Sequence, residues 1–373
     1  MSAANEPGRL RTVLHVGKFY PPHHGGMERV LETLCQVSRG LVESRVLVTN
    51  ASRETIEEEV GGIPVTRVGT IGAAGSVHIA PAFAGHLRRA RADLIVLHEP
   101  NPWALLCYAI ARPRAPLAIW YHSDVVRPAL QYALFYAPMA RIAYSRARRF
   151  VVSSPVLGAH AAALQPYQSR VTVIPFGIDP ASWHAADGSA GGPPFVLFAG
   201  RHVDYKGVDV LLRALKDSAA RAVIAGDGPR RAAWEKLAGE LGLNGRVTFT
   251  GEIPDRELRT LMHTCTALVL PSITRAEAFG YVQLEAMAAG KPVISTDVPS
   301  GVSWVNQDGR TGLVVRAGDA AALRDAVDRL TTDPALAARL GAAGRARVEE
   351  EFTLDRLRDR LRHLYEALGV LAG

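Results

Sequence analysis

Short, solid apolar runs separated by helical patterns dominate the chain. Arg11 to Val16 reads as a buried strand, followed by a turn-rich loop from Gly17 to Gly26 and a helix over Met27 to Arg39 with Leu31, Leu34 and Cys35 on its apolar side. Further runs predict strands near Arg45 to Val48, Leu94 to His98, Leu117 to Tyr121 and Arg149 to Val152. A second series falls at Phe195 to Ala199, Ala222 to Ala225, Val247 to Thr250, Ala267 to Leu270 and Pro292 to Ser295. Strands alternating with helices in this way imply parallel sheets covered on both faces. Between the series, Pro175-Phe176-Gly177-Ile178-Asp179-Pro180 opens a Gly, Ala and Pro-rich segment that ends at Pro194 and reads as an interdomain linker. Asp319 to Gly373 is helical by period, and Phe352, Leu354, Leu357, Leu361, Leu364 and Tyr365 outline a last amphipathic helix. The expected fold class is α/β with two doubly wound domains, whose ligands sit at the carboxyl ends of the strands in the crevice between them.

Composition narrows the class. With 373 residues, 48% hydrophobic and 21% charged, the chain is globular and about right for two domains. Its longest apolar run, Trp103 to Ile110, is far short of the roughly 20 residues that span a bilayer. The first ten residues are polar with no apolar core or cleavage site, so a cytoplasmic location is expected. Cys35, Cys107 and Cys265 are widely separated and read as reduced structural thiols. An excess of 43 basic over 36 acidic residues suits an anionic ligand, an anionic membrane surface or nucleic acid, and does not choose among them.

Candidate chemistry concentrates in Ser272 to Val298, SITRAEAFGYVQLEAMAAGKPVISTDV. Tyr281, Leu284 and Met287 repeat at three residues, alanines favour a helix, and Gly290 followed by Pro292 ends it before a strand at Val293 and Ile294. A helix beginning near Gly280 offers backbone N–H groups over Ala278 to Val282, where a missing side chain lets a phosphate approach. Glu277 then lies in the loop before the helix and Glu285 roughly a turn and a half inside it, so the carboxylates meet different parts of one ligand or form an acid and base pair. A strand ending at Gly200 leads to Arg201 and Lys206, a fork and a mobile point charge suited to a diphosphate, against the alternative of a surface pair in a βα loop. Gly25-Gly26 before the first helix offers a second close approach to phosphate, and His122-Ser123-Asp124 follows a strand where a histidine could contact a substrate hydroxyl. No G-x-G-x-x-G follows a strand and no G-x-x-x-x-G-K-[ST] occurs, which argues against dinucleotide dehydrogenases and P-loop enzymes. No Asp-x-Asp pair occurs either, so fixed cations and helix ends, not a bridging metal, are expected to hold the diphosphate.

In order along the chain, Gly25-Gly26, FAGRx4KG from Phe198, AGDGP from Ala225 and EAFGx4EAMAxGKPV from Glu277 resemble the retaining GT-B glycosyltransferases of family 4, over nearly the whole chain. The resemblance implies an N-terminal acceptor-binding Rossmann-like domain over 1–177, joined by a C-terminal helix over 352–373 that crosses back to it, and a donor-binding Rossmann-like domain over 178–351, the two facing each other across a cleft. It implies that Arg201, Lys206, Gly25 and Gly26 bind the donor diphosphate, that Glu285 binds the ribose, and that Ala278, Phe279 and Gly280 contact the sugar. Tyr281 and Val282 would start the phosphate-binding helix, with His122 and Glu277 catalytic. No metal or other cofactor is implied beyond a nucleotide-diphosphate sugar, GDP-mannose favoured.

FYPPHHGGMERV, YHSDVV and VPSGVSWV look most similar to bacterial enzymes that add mannose or a related sugar to lipid-linked O-antigen or exopolysaccharide intermediates. His23-His24 stand where that family varies, exposed or touching acceptor. Arg127 to Arg149 reads either as a basic amphipathic helix on an anionic membrane, at the inner face of the cytoplasmic membrane, or as a packed helix with a solvated basic end. Rival classes are a sugar-nucleotide epimerase of related fold and a non-catalytic sugar-nucleotide-binding module. Nucleic acid is not an expected partner, because basic residues are scattered and no aromatic patch interleaves them.

Overall fold

A computed structural model describes residues 9–23, 25–75, 77–124, 136–183 and 193–371. The chain divides into two compact units. Unit 1 comprises Met1–Ser153, Ala161–Ile174 and Leu357–Gly373; unit 2 comprises Ser154–His160 and Pro175–Arg356.

Unit 1 carries strands β1 (Thr12–Val16), β2 (Glu43–Thr49), β3 (Ile56–Val60), β4 (Ile63–Val68), β5 (Gly72–Ala74), β6 (Val77–Ile79), β7 (Leu94–Glu99), β8 (Leu117–Tyr121), β9 (Ala147–Val152) and β10 (Val171–Val173). Its main sheet runs β10-β9-β8-β7-β1-β2-β4-β3 and is parallel except where β3 returns antiparallel along β4. Strands β1, β7 and β8 are buried throughout and mainly apolar, with Thr12, His15, His98 and Glu99 as the buried polar exceptions. The sheet changes direction between β1 and β7.

Unit 2 carries β11 (Phe195–Ala199), β12 (Arg221–Ala225), β13 (Val247–Gly251), β14 (Ala267–Leu270), β15 (Val293–Thr296) and β16 (Gly312–Val315). Their order β13-β12-β11-β14-β15-β16, all parallel, is that of a doubly wound dinucleotide fold, with its switch point between β11 and β14. One core packs Phe198, Leu211, Leu215 and Ile224 with Trp234, Val269, Val327 and Leu340.

The segment after Ile174 is not a loose linker at its start. Pro175 to Ile178 are buried, Phe176 meets Phe279 edge-on at 4.8 Å, and Ile178 donates to the Phe352 carbonyl at 2.8 Å. The reason is local: Pro and Gly set the turns while Phe176 and Ile178 supply apolar area that packs. Residues 184–192 of that segment lie outside the described residues, as do 127–135 of the basic segment and His24. What is described of the basic segment is a helix over Ala137–Arg146 with Ala140, Ala143 and Tyr144 buried and Arg141 exposed, while Arg148 and Arg149 lie in β9, so the segment is not one helix as expected. No helix among the described residues is long and apolar enough to cross a membrane.

Candidate functional site

At the switch point of unit 2 two loops are stitched together. The loop after β11 leaves through Gly200, passes the exposed Arg201, and reaches Lys206 in a single turn at Asp204–Lys206 before a helix over Val208–Lys216. Gly207 takes φ +66, and a Cβ there would stand 2.1 Å from the Pro271 carbonyl oxygen, so only glycine lets the loop after β14 come this close. Ile273 donates its N–H to the Tyr205 carbonyl at 2.9 Å across the same seam.

That seam brings Lys206 and Glu277 together, with Nζ 2.5 Å from Oε2 and side-chain exposures of 12% and 9%. Ser272 Oγ donates to the same Oε2 at 3.0 Å, and Thr296 Oγ1 holds the Ser272 carbonyl at 2.5 Å. Burial is the largest single influence and opposes the lysine's charge, yet the Glu277 carboxylate together with Tyr205 leaves the Lys206 pKa above the ordinary value. Sequence led to the expectation of a mobile point charge at Lys206; its Nζ is instead held on Glu277.

Glu277 lies in a loop, as its spacing predicts. The following helix runs over Val282–Ala288, two residues later than expected, so buried Glu285 lies in its first turn and not a turn and a half inside. The N–H groups of Gln283 and Leu284 are taken by the carbonyls of Gly280 and Tyr281 at 2.9 Å each. Gly280 has φ +71, and a Cβ on it would meet Leu270 Cδ2 at 2.6 Å and Gln283 Nε2 at 2.8 Å. Phe279 turns into the core against Phe176 and Phe352, and Ala278 accepts from Gly301 N–H at 2.7 Å. Tyr281 donates its hydroxyl to the Gly177 carbonyl at 2.8 Å. The helix ends as predicted: Gly290 has φ +72 and Lys291 N–H reaches the Ala286 carbonyl at 2.8 Å.

In unit 1 the helix opens at Gly26, and Gly25 is extended at φ −177. The Glu28 side chain folds back over Gly25, where a Cβ would stand 2.2 Å from its Oε2, while nothing lies within 4 Å of a Cβ on Gly26. Of the two glycines, Gly26 is the open approach. Exposed His23 stacks on Phe19 with ring centres 4.5 Å apart. His122 lies just past β8, only 6% exposed, its backbone N–H bonded to the Glu99 carbonyl at 2.9 Å.

Sequence reasoning missed His122's surroundings. His98 and His15 stand behind it, and beside them Glu99 is buried at the end of β7, accepting from Tyr136 Oη and from Asn101 N–H at 3.2 Å. Burial pushes the Glu99 carboxyl up to about 8 against the pull of those two donors, so it is protonated at neutral pH. The available signal was polar residues at or next to the ends of buried strands, at His15, His98 and Glu99.

A family model described as glycosyl transferases group 1 matches residues 180–347, and one described as glycosyl transferase 4-like domain matches residues 25–177. O-antigen chain mannosyltransferase C of Escherichia coli is 32% identical over 95% of this chain and 98% of its own length. D-rhamnosyltransferase WbpZ of Pseudomonas aeruginosa is 32% identical over 91% of this chain and 92% of its own length. Among solved structures, sucrose-phosphate synthase from Thermosynechococcus elongatus superposes with a TM-score of 0.82 at 23% identity, covering 96% of this chain and 99% of that one. WaaG, described as a glycosyltransferase involved in lipopolysaccharide biosynthesis, gives 0.73 at 18% identity, with 97% and 100% covered.

Proposed function

This chain belongs to the glycosyl transferases group 1 family and is a glycosyltransferase, and from that premise we propose that it moves mannose, or the related 6-deoxy sugar D-rhamnose, from a nucleotide-diphosphate donor to a lipid-linked or polysaccharide acceptor of cell-surface glycan synthesis, with retention. GDP-mannose is the favoured donor. The observation that carries this reading is the nearly buried Lys206–Glu277 pair at the switch point of a dinucleotide-type sheet. Arg201 and Lys206 bind the diphosphate and offset the charge that grows on it as the sugar C1–O bond breaks. Glu277, with the backbone of Ala278, Phe279 and Gly280, holds the sugar, and Glu285 the ribose. Tyr281 and Val282 open the short helix behind the phosphate. Gly25 and Gly26 also bind the diphosphate, and His122 acts on the sugar. Retention follows from same-face attack: the acceptor oxygen bonds C1, and its proton passes to the departing phosphate oxygen.

No metal is assigned a role. Among the described residues no group of three or more His, Cys, Asp or Glu is arranged to hold one. The protein acts as a peripheral enzyme at the inner face of the cytoplasmic membrane.

A panel of nucleotide sugars, each with and without a lipid-linked acceptor, read by product mass, tests the reaction. Turnover that needs both substrates and persists in chelator is expected; donor conversion without acceptor would favour an epimerase. Glu277→Gln is expected to retain donor binding while transfer falls sharply, and unchanged turnover removes Glu277 from the site.

A further inference from the structure

The two oxygens of Glu277 are used unequally. Lys206 Nζ lies 2.5 Å from Oε2, and Ser272 Oγ donates to that same oxygen at 3.0 Å. Ser272 is fully buried and its carbonyl is held by Thr296 Oγ1, while Glu277 N–H returns to the Thr274 carbonyl at 3.2 Å, so the carboxylate is anchored from its own loop. Oε1 carries no hydrogen bond among the described residues yet keeps access to solvent. It is the oxygen left for a ligand. The lysine is placed with similar definition: a Cβ on Gly200 would stand 3.7 Å from its Nζ, which sets the ammonium against the backbone just past the end of β11, where a ligand at the switch point arrives.

Charge decides what such a pair does to a ligand. Lys206 and Glu277 together sum to zero, and their side chains are only 12% and 9% exposed, so solvent screens them weakly. Lys206 keeps two N–H groups beyond the one on Glu277 and can still donate to a phosphate oxygen; what the pairing removes is net charge, not the bond. A bare nucleoside diphosphate therefore meets an offset lysine and a fixed carboxylate of its own sign. A diphosphate that carries a sugar meets the same groups differently. The sugar hydroxyls are neutral donors, and one donating to Oε1 forms a charge-assisted hydrogen bond. One carboxylate thus opposes the first ligand and holds the second, and selectivity arises from repulsion of the wrong ligand as much as from attraction to the right one.

We propose that Glu277 is a specificity residue against the product: anchored on Lys206 and Ser272, it weakens the binding of a bare nucleoside diphosphate and is compensated when a sugar hydroxyl takes Oε1, so the site holds the donor and lets the spent diphosphate go. This role rests on the reading of Lys206 and Glu277 as donor-site residues. It goes beyond a sugar contact, and the two differ in one observable. A residue that only touches the sugar leaves the affinity for a ligand without a sugar unchanged. A repelling carboxylate lowers that affinity, and removing its charge raises it.

Calorimetric titration of the full chain with GDP and with UDP tests this, with GDP-mannose and UDP-glucose titrated alongside. Glu277→Gln keeps the side chain's size and an oxygen for Lys206 and Ser272 while removing the charge. It is expected to bind the bare diphosphate that the wild type accepts on the order of 10-fold more tightly, and the matching nucleotide sugar no more tightly than the wild type does. Unchanged or weaker binding of the bare diphosphate in Glu277→Gln overturns the proposal and leaves the transferase reading standing. If the wild type binds none of these ligands, the donor-site reading itself fails and the proposal with it. Should Glu277→Gln not fold, Lys206→Met is compared with the combination of Lys206→Met and Glu277→Gln, which puts the same question without the lysine. The combination is expected to bind the bare diphosphate on the order of 10-fold more tightly than Lys206→Met alone, and equal affinity overturns the proposal.

Discussion

The switch points of the two sheets are built alike and filled oppositely. Between β11 and β14 of unit 2 the loops gather charge, with Lys206 and Glu277 paired at 2.5 Å and Arg201 exposed on the same loop as Lys206. Between β1 and β7 of unit 1 the corresponding positions gather groups that burial has neutralised: His15, His98 and, just beyond, His122, with the protonated Glu99. A nearly buried charge persists where a counter-charge touches it and is lost where none does. The charged pair of unit 2 fits the proposed stabilisation of a departing diphosphate by Arg201 and Lys206.

The largest test removes the charge from unit 2. Lys206→Ala leaves Glu277 nearly buried without its partner, so a loss of roughly 3–5 kcal/mol in stability is expected together with a fall in turnover on the order of 10²–10³-fold. Combining Lys206→Met with Glu277→Gln removes both charges, and should recover much of the stability and none of the turnover. Urea midpoints and kcat/KM read the two effects separately. A stable, active Lys206→Ala protein would break the comparison.

Unit 1 answers to pH. A histidine held below 6.5 is neutral when folded and protonated when unfolded, so its contribution is full above 6.5 and lost as pH falls. Glu99 runs the other way: raised from 4.5 to about 8, its contribution is full below 4.5 and lost as pH rises toward 8. Between these limits three histidines against one carboxyl leave a net difference of about two protons, or ~2–3 kcal/mol of stability lost per pH unit on going from 6.5 to 4.5. Urea unfolding of the wild type across that range measures the slope. A flat profile would mean that the three histidines are not neutral, and the contrast between the units would fail.

Glycines sharpen the comparison at a smaller scale. Gly280→Ala forces a side chain into φ +71 and against Leu270 Cδ2 at 2.6 Å, an expected loss of about 2 kcal/mol. Gly26→Ala meets nothing within 4 Å and should leave stability unchanged while lowering turnover if phosphate approaches there. Thermal unfolding of both variants, with turnover of the second, distinguishes a glycine kept for packing from one kept for a ligand.

Much of this was legible in the chain. Strands such as Leu117–Tyr121 and Phe195–Ala199 match their apolar runs because both faces are covered, and the Gly290 stop follows from its left-handed backbone. The hairpin of β3 and β4 was missed because Glu57, Glu58 and Glu59 are exposed on an edge strand and erase the apolar signature. The short strand β16 is only half solidly buried and gave no run to read. Arg201, Lys206, Glu277 and Glu285 could be named as a set from motif spacing, but not the pairing of Lys206 with Glu277, which depends on two loops meeting at Gly207. The histidine row was beyond reach for the same reason. Its links join residues 83 and 24 positions apart, and only the strand order β8-β7-β1 makes them neighbours.

The smallest expected effect lies in the last helix, Leu354–Ala367, whose period is plain in sequence while its partners are not. Arg358 donates to the Val37 and Arg39 carbonyls at the end of the helix Gly26–Val37, where a cation meets the negative end of the helix dipole. Deeper in unit 1, Tyr365 Oη and Ser38 Oγ share a hydrogen bond of 3.1 Å, both residues essentially buried. Tyr365→Phe keeps the ring and strands the serine hydroxyl, so a loss of about 1 kcal/mol is expected, read as a lower urea midpoint at unchanged slope. Because this contact belongs to neither switch point, kcat should not move. A fall in kcat with Tyr365→Phe would mean that the docking of this helix governs the histidine row as well, and that the chemistry of unit 1 extends beyond its sheet edge.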